Sequence, residues 1–274
     1  MVHQTTKVVL VGAGRMGQAM LNGWLRNLGE SHEFHVVDPH DAGAISKQSS
    51  GKNQLTRYTT AEDLPPGLEA DVIVLATKPH IIPSALEALP DGCASDTVVV
   101  SVAAGIQIVD IERHLSGPAS VMRVMPNIGA QVGFCVSAGY AHEDAPQSGK
   151  TLVEQLFNSI GSFCWLTDED QMHAVTALSG SGPAYIFAMC EAMIAAGVEL
   201  GIEAETAQTL AVGTVSAAGR LLEDCADPGR LREAVTSPNG TTAAGLAEFG
   251  RKQALDQLVT KALDAAKHRS KELS

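Results

Sequence analysis

Charged and aromatic residues are scarce in this chain. Of its 274 residues, 18% are Asp, Glu, Lys or Arg and 4% are Phe, Trp or Tyr, whereas hydrophobic residues reach 45%. Such a composition excludes a disordered polyelectrolyte, and the length allows one large or two ordinary domains with buried cores. Lys and Arg number 19 against 31 Asp and Glu, which gives a net charge of −12. Nucleic acid is therefore not expected as a partner, because no cationic excess exists to neutralise a phosphate backbone.

Patterns that would indicate disulfides, metal sites or membrane segments are also missing. The five cysteines are far apart and form no C-x-x-C pair, which predicts buried thiols in a reducing compartment. The nine histidines show no H-x-x-x-H spacing with a nearby acid, so no metal site is expected. The N-terminal residues are polar, and the apolar run 8–11 is too short for a signal or membrane segment. We expect a soluble, cytoplasmic protein.

Short β-branched runs alternate with helical patterns in residues 1–166. The runs are nearly continuous in apolar residues, and the segment 16–28 between the first two has helical spacing. Strands without a polar face, separated by helices, predict a parallel sheet that is covered on both sides. The fold class is therefore α/β with a doubly wound parallel sheet. The predicted strands are 8–11, 34–37, 72–75, 98–102, 121–125 and 134–137.

Residues 167–274 have helical spacing almost throughout. Thr167–Asp170 has the composition of a helix N-cap followed by an acidic first turn. The later helices are Ala-rich and apolar over much of their circumference, which indicates burial, against a second subunit if the domain is small. We place the domain boundary at residues 166/167. The long predicted helices are 184–200, 203–225 and 255–271.

A glycine-rich turn directly follows the first strand and opens the first helix. Glycines in a G-x-G-x-x-G turn permit a tight bend, close approach of the backbone to a pyrophosphate, and close packing of helix on strand. The helix N-terminus adds N–H donors and the positive end of its dipole. The pattern predicts dinucleotide binding by residues 1–166, with Arg15 either on the pyrophosphate or solvated. The predicted coenzyme-binding residues here are Gly12, Ala13, Gly14, Arg15, Met16 and Gly17.

Asp38 ends the second strand, 21 residues after Gly17. An acid at this position can accept both ribose hydroxyls of NAD and repel the 2′-phosphate of NADP. Asp38-Pro39 is also an ordinary turn sequence. Since no Arg follows within the next several residues, NADH is favoured over NADPH.

Two later loops complete the predicted coenzyme site, because ligands bind beyond the carboxyl ends of parallel strands. Small residues there would let the nicotinamide half lie against backbone, although Thr77 and Lys78 fit plain loop chemistry equally well. The residues are Ala76, Thr77, Lys78 and Pro79 after the third strand, and Ala103, Ala104 and Gly105 after the fourth.

Two segments of small residues precede helices in the second domain, namely 178–185 (L-S-G-S-G-P-A-Y) and 237–242 (S-P-N-G-T-T). Hydroxyl, amide and N–H donors at a helix start can hold a carboxylate without any Arg. The same residue types also serve as plain helix caps. Both interpretations remain open for each segment.

Six motifs occur in order over nearly the whole chain: G-A-G-R-M-G, A-T-K-P-H, S-V-A-A-G, R-V-M-P-N, L-S-G-S-G-P-A-Y and S-P-N-G-T-T-A-A-G-L. This series resembles the Δ1-pyrroline-5-carboxylate reductase family, which catalyses the last step of proline biosynthesis, and the two late motifs are the specific ones. The resemblance implies an α/β Rossmann-type domain followed by an all-α dimerisation domain that interleaves with its partner. It also implies larger rings of dimers and hydride transfer from NAD(P)H to a cyclic imine.

The resemblance further implies roles for individual residues. Thr242 would act as the catalytic residue by hydrogen bonding near the ring nitrogen, and the two halves of a site would come from different subunits. The carboxylate of the substrate would lie on Ser237, Asn239, Gly240 and Thr241, with Ser179, Gly180, Ser181 and Gly182 bordering the pocket.

Other functions remain open. A hydroxyacid or 6-phosphogluconate-type dehydrogenase would need a Lys or His acid/base, for which His173 and Lys78 are the nearest candidates. A non-catalytic NAD(P)-sensing protein could keep the fold alone. A six-membered piperideine carboxylate is an alternative substrate for the same reductase chemistry. Arg123 and Asn127 of R-V-M-P-N either contact ligand or brace the sheet.

Overall fold

The computed structural model describes residues 5–40, 54–94 and 96–274. The chain forms two compact units, Met1–Gly180 together with Ala266–Ser274, and Ser181–Ala265. The domain boundary at 166/167 was drawn where the sequence pattern changes, and it stays a prediction. The two compact units divide the chain after Gly180, whereas the sequence pattern changes after residue 166.

The first unit is built on an eight-stranded sheet. In the described residues the strands are β1 (Thr6–Val11), β2 (His32–Val37), β3 (Gln54–Tyr58), β4 (Val72–Leu75), β5 (Thr97–Ser101), β6 (Ala119–Met125), β7 (Cys135–Ala141) and β8 (Gly161–Trp165). Their order is β3-β2-β1-β4-β5-β6-β7-β8, and every neighbouring pair is parallel except the antiparallel pair β6–β7. The doubly wound α/β prediction is confirmed. The edge strands β3 and β8 were not predicted.

Helices of the first unit cover both faces of this sheet, and further helices form the second unit. In the described residues they are α1 (Arg15–Asn27), α2 (Ile82–Glu87), α3 (Ile108–Glu112), α4 (Gln147–Asn158), α5 (Gln171–Val175), α6 (Gly182–Glu199), α7 (Ala204–Asp224), α8 (Pro228–Ala234), α9 (Thr241–Gly250) and α10 (Ala254–Glu272). Since side chains alternate between faces along a strand, each central strand contributes to two cores. Trp24 of α1 and Phe157 of α4 pack in one core, and Ile82 of α2 and Ile108 of α3 pack in the other.

The second unit leaves most of its apolar side chains exposed. Phe187 of α6 is 62% exposed and Ile186 is 52% exposed. The stretch Gln171–Glu199 is, by length and composition alone, one helix of the described chain that could cross a bilayer. A helix covered by another subunit has the same character, and the cytoplasmic location stays a prediction.

The prediction of buried thiols holds for only part of the cysteines. Cys93 and Cys135 are buried, and burial raises the pKa of both thiols. Cys190 and Cys225 are partly exposed, and Cys164 is exposed. The pattern missed this exposure because Cys164 lies on the edge strand β8, whose residues alternate between partly exposed and exposed.

Candidate functional site

The glycine turn between β1 and α1 has no room for side chains at two of its glycines. Gly12 has φ +97°, and a Cβ added there would lie 2.8 Å from Thr77 Cγ2. A Cβ on Gly17 would collide with the carbonyl oxygen of Gly12. The turn therefore packs directly on the end of β4, where Ala76 N donates to Val11 O at 2.8 Å. Gly12, Gly17, Ala76 and Thr77 lie together, at the position predicted for the coenzyme phosphates.

The start of α1 offers donors to an anion. The helix has Gly14 as its N-cap with no side-chain cap, and the first bond of the helix runs from Gln18 N to Gly14 O. The N–H groups of Arg15, Met16 and Gly17 therefore have no acceptor within the helix. Arg15 is exposed. This arrangement suits a pyrophosphate, since the dipole and the N–H groups act together.

Asp38 contacts the same turn. Its Oδ2 accepts the N–H of Ala13, and its Oδ1 accepts the N–H of His40 at 2.7 Å. Asp38, His40 and Arg57 also line a cavity of about 230 Å³ at the carboxyl ends of β2 and β3. The Asp-Pro turn and the coenzyme-facing acid are thus compatible interpretations, because each carboxylate oxygen has lone pairs left over.

The loops after β4 and β5 lie where the doubly wound topology requires. Thr77 Oγ1 is buried without a hydrogen-bond partner among the described residues. An orphaned hydroxyl beside the glycine turn fits a coenzyme that supplies its partner. Lys78 is exposed, and Pro79 begins a short 3₁₀ turn. Ala103 and Gly105 are largely buried, with Ala104 partly exposed between them.

The segment 178–185 runs from a π-helical turn into α6, which begins at Gly182. One π-helical turn, Thr176–Gly180, joins α5 to α6. Pro183 has no N–H to donate to the carbonyl of Ser179, four residues earlier, and Asn127 Nδ2 donates to that carbonyl instead at 3.1 Å. The hydroxyl of Ser179 donates to Val175 O at 3.1 Å. Ser179 and Gly180 belong to the first unit, and Ser181 and Gly182 to the second.

Asn127 braces the sheet. Its Oδ1 accepts the N–H groups of Gly129 at 3.0 Å and Val136 at 3.2 Å, while its Nδ2 donates to Ser179 O. Three hydrogen bonds on one buried amide account for most of its capacity. These contacts agree with the bracing role, and contact of Asn127 with a ligand stays a prediction.

In the segment 237–242, residues 237–240 form one tight turn ahead of α9, and Thr241 and Thr242 are the first two residues of the helix. Asn239 adopts a left-handed φ of +58°, Gly240 N donates to Ser237 O at 3.1 Å, and a Cβ on Gly240 would collide with Ser237 Oγ. Gly240 is the N-cap and makes no side-chain cap. The first bond of α9 is from Ala244 N to Gly240 O, so the N–H groups of Thr241, Thr242 and Ala243 have no acceptor within the helix.

A buried ion pair lies in the first unit, and sequence patterns gave no sign of it. Arg123 Nη1 donates to Glu169 Oε1 at 2.9 Å, with the Arg123 side chain 3% exposed. The same oxygen accepts the N–H of Ile108 at 2.9 Å. Glu169 is therefore not part of an acidic first turn as predicted, since α5 begins only at Gln171. The pairing joins residues far apart in sequence, which local periodicity cannot reveal.

His173 is poorly suited to the acid/base role that a hydroxyacid dehydrogenase would need. It is buried, and its Nδ1 lies 3.0 Å from Ser270 Oγ. Burial, followed by the positive charges of Arg123 and Lys271, lowers the pKa of His173 below its usual value. The contact between buried His173 and Ser270 joins the C-terminal residues to α5.

A cavity of about 920 Å³ lies at the opposite end of the sheet from the predicted site. It is lined by Glu33, Glu69, Asp71, Asp91 and Asp96, with Lys7 also present. This acidic lining would repel the phosphates of a coenzyme. The described residues contain no group of three or more His, Cys, Asp or Glu that could hold a metal ion.

Two family models match the chain. Residues 169–273 match the model described as pyrroline-5-carboxylate reductase dimerisation, and residues 7–105 match the model described as NADP oxidoreductase, coenzyme F420-dependent. The first covers the helices from α5 to α10, and the second covers the predicted coenzyme loops. A dimerisation domain means that the protein self-associates.

Named relatives cover the whole chain. A pyrroline-5-carboxylate reductase of Pseudomonas aeruginosa is 34% identical over 98% of this chain and 97% of its own, and that of Arabidopsis thaliana is 34% identical over 99% and 96%. A solved pyrroline-5-carboxylate reductase from Coxiella burnetii matches with a TM-score of 0.87 and 33% identity, covering 99% of each chain. An NADP-bound Plasmodium falciparum pyrroline carboxylate reductase matches with a TM-score of 0.79 and 27% identity, covering 98% of each chain.

The glycine turn, the two late motifs and the full-length identity therefore agree. The chain belongs to the pyrroline-5-carboxylate reductase family and is an NAD(P)-dependent oxidoreductase that reduces the C=N bond of 1-pyrroline-5-carboxylate to give L-proline.

Proposed function

We propose that the turn 237–242 holds the carboxylate of the cyclic imine and that Thr242 hydrogen-bonds near its ring nitrogen. The observation that carries this proposal is the start of α9, where the N–H groups of Thr241, Thr242 and Ala243 are left without helical partners. A helix N-terminus with free N–H groups favours a carboxylate. Ser237, Asn239 and Gly240 shape the turn, and Ser179 to Gly182 border the pocket.

Positioning is the main task of these residues. A protonated imine accepts hydride readily, so the site needs no paired carboxylates or His–Asp couple. The coenzyme supplies the hydride from its reduced nicotinamide. The chain has to hold the ring in one orientation and exclude water, which is how binding energy lowers the barrier. The hydroxyl of Thr242 would orient the ring nitrogen.

Replacing Thr242 by alanine is expected to lower kcat/KM for 1-pyrroline-5-carboxylate by about 100-fold, as for other single hydrogen-bond donors at a reacting centre. Thr242→Ser keeps the hydroxyl and should stay within about fivefold of wild type. Initial rates at saturating coenzyme measure both constants.

Thr209→Ala is the matched control for Thr242. Thr209 is also an exposed helical threonine, and its hydroxyl donates to Glu205 O at 3.0 Å. Its loss should leave kcat/KM unchanged. Full kcat/KM in Thr242→Ala would show that Thr242 has no part in orienting the nitrogen.

We propose that NADH is preferred over NADPH. The support is Asp38, whose carboxylate is fixed by the N–H groups of Ala13 and His40 at the carboxyl end of β2. A negative charge held there accepts ribose hydroxyls and repels a 2′-phosphate. Arg57 and His40 line the same cavity and would favour the 2′-phosphate of NADPH. Initial rates with NADH and with NADPH therefore measure which coenzyme is preferred.

Asp38→Asn is expected to change the ratio of kcat/KM for NADH over NADPH by roughly tenfold towards NADPH, because one unit charge near a phosphate is removed. Glu62→Gln removes the same charge from an exposed site in the same unit and should leave the ratio unaltered. An unchanged ratio in Asp38→Asn would assign coenzyme choice to other residues.

The assembly proposed is an intertwined homodimer through the second unit, with dimers joining into larger rings. Its support is the dimerisation model over 169–273 and the exposed apolar residues of α6. Light scattering combined with size-exclusion chromatography measures the mass of the assembly.

A further inference from the structure

The loop 102–107, which follows β5, depends on a distant side chain at its far end. It leads into α3, a helix of five residues whose N-cap, Gln107, makes no side-chain hydrogen bond. Ile108 is fully buried at the start of α3. Its N–H group therefore needs an acceptor from elsewhere, because a buried N–H without a partner is strongly disfavoured.

Glu169 supplies that acceptor. Its Oε1 lies 2.9 Å from Ile108 N, across 61 residues of sequence. The same oxygen takes the guanidinium of Arg123 at 2.9 Å. Arg123 lies on β6, next to the last residue of β5, Ser101. One carboxylate thus fixes the beginning of α3 to a buried cation that is itself held in the sheet.

The rest of the loop is held by backbone and by the C-terminus. Val102 N donates to Leu75 O at 3.0 Å, and Ala103 N donates to Ser101 Oγ at 3.3 Å. Gly105 has φ +79°, and a Cβ added there would lie 2.6 Å from the carbonyl oxygen of Leu273. The loop is thus fixed at its start by the sheet, at Gly105 by the C-terminus and at its far end by Glu169.

We propose that Glu169 is a positioning residue that fixes the position of the loop Ala103–Gly105 relative to the nicotinamide half of the coenzyme. The proposal rests on the proposed coenzyme site at that loop. Hydride transfer is sensitive to such placement, because a displacement of about 1 Å at a reacting centre costs roughly 100-fold in rate. Glu169 touches neither substrate nor coenzyme in this assignment, and it acts through Ile108.

Two conservative variants separate the effect of side-chain length from the effect of charge. Glu169→Gln keeps the length and an acceptor oxygen for Ile108 N, but it loses the charge that neutralises buried Arg123, so its Tm should fall. Glu169→Asp keeps the charge for Arg123 but is one methylene shorter. If Glu169 positions the loop, Glu169→Asp raises the KM for NADH by about tenfold or more and slows single-turnover hydride transfer, while Glu169→Gln stays within about threefold of wild type. Because Glu169→Asp still neutralises Arg123, we expect it to fold.

Binding of ADP-ribose distinguishes loop positioning from general damage. This probe has the pyrophosphate and adenosine but lacks the nicotinamide, so its affinity reports the glycine turn and Asp38. We expect both Glu169 variants to bind ADP-ribose as wild type does. Trp24→Phe is the matched stability control, since it removes a buried hydrogen bond to Leu156 O in the other core. It should lower Tm without changing the KM for NADH.

Three results would overturn the assignment. Wild-type KM and single-turnover rate in Glu169→Asp, with only Tm lowered, would make Glu169 purely structural. ADP-ribose binding weakened as much as NADH binding would mean that the whole unit is disturbed. Ala104→Met tests the coenzyme site separately, because it crowds the loop without touching Glu169. If Ala104→Met leaves the KM for NADH unchanged, the nicotinamide does not lie at this loop. The coenzyme site at Ala103–Gly105 and the positioning role of Glu169 are then both wrong.

Discussion

Replacing Gly17 by alanine is expected to remove coenzyme binding almost completely. The added Cβ would collide with the Gly12 carbonyl oxygen, and that carbonyl belongs to a turn already packed on Thr77. Neither backbone can yield independently, so α1 must move away from the turn and carry its N–H donors with it. Since we predict that those donors and the dipole hold the pyrophosphate, we expect the Kd for NADH and NADPH to rise by about 100-fold or more.

Gly14→Ala is the contrast that isolates packing from chemistry at the same turn. Gly14 has φ −65°, and a Cβ there would meet nothing within 4 Å. Its loss of affinity should stay below about tenfold, because the backbone keeps its path. Fluorescence titration of NADH measures both variants, and thermal unfolding shows that each is folded. Wild-type affinity in Gly17→Ala would remove the glycine turn from the coenzyme site.

The parallel sheet and the glycine turn could be predicted because their signals are local. The central strands are runs of apolar residues that are buried on both faces, and the turn has to follow β1 directly. The edge strands β3 and β8 were not predicted because they lack this local signal. An edge strand has one neighbouring strand and stays partly exposed, so its sequence does not need the continuous apolar run of a central strand. The two sequences are Q-L-T-R-Y and G-S-F-C-W.

Long-range pairings could not be predicted from the sequence. Glu169 follows Asp168 and precedes Asp170 in a segment that has every local mark of a helix start, yet its carboxylate pairs with Arg123 and Ile108. Nothing in the spacing of charges distinguishes it from its neighbours. Only the folded sheet, which buries Arg123, creates the need for a carboxylate at that place.

Motif residues could be predicted in position but not in detail. The segment 178–185 was predicted to precede a helix, and α6 begins within it at Gly182, with Pro183 in the first turn. The sequence did not reveal the π-turn before α6, nor that Asn127 donates to the carbonyl that Pro183 cannot serve. Such turns are frequent at functional sites because they re-aim backbone groups. The local sequence predicted where the segment lies in the chain, whereas its backbone geometry depends on Asn127, which belongs to another motif.

Introducing a charge at Phe187 is expected to split the assembly. Phe187 lies on α6 and is 62% exposed in the single chain, as part of a helix in which no residue is buried. The dimerisation family model covers this helix. In a dimer formed through α6, Phe187→Glu would bury an unpaired carboxylate at a cost of about 3–5 kcal/mol. The dimer dissociation constant would then rise by more than roughly 100-fold, which sedimentation velocity over a range of concentrations measures.

Two variants serve as controls. Gln155→Glu adds the same carboxylate to an exposed position of α4 and so tests the effect of charge alone, and Phe187→Leu tests the effect of a changed side-chain shape. Both should remain dimeric. Because the second unit buries little apolar surface within one chain, its stability depends on its partner, and the Tm of wild type should rise with protein concentration. The Tm of Phe187→Glu should be lower and independent of concentration. A dimer that persists in Phe187→Glu would mean that α6 lies outside the interface, and its exposed apolar residues would then require a different covering surface.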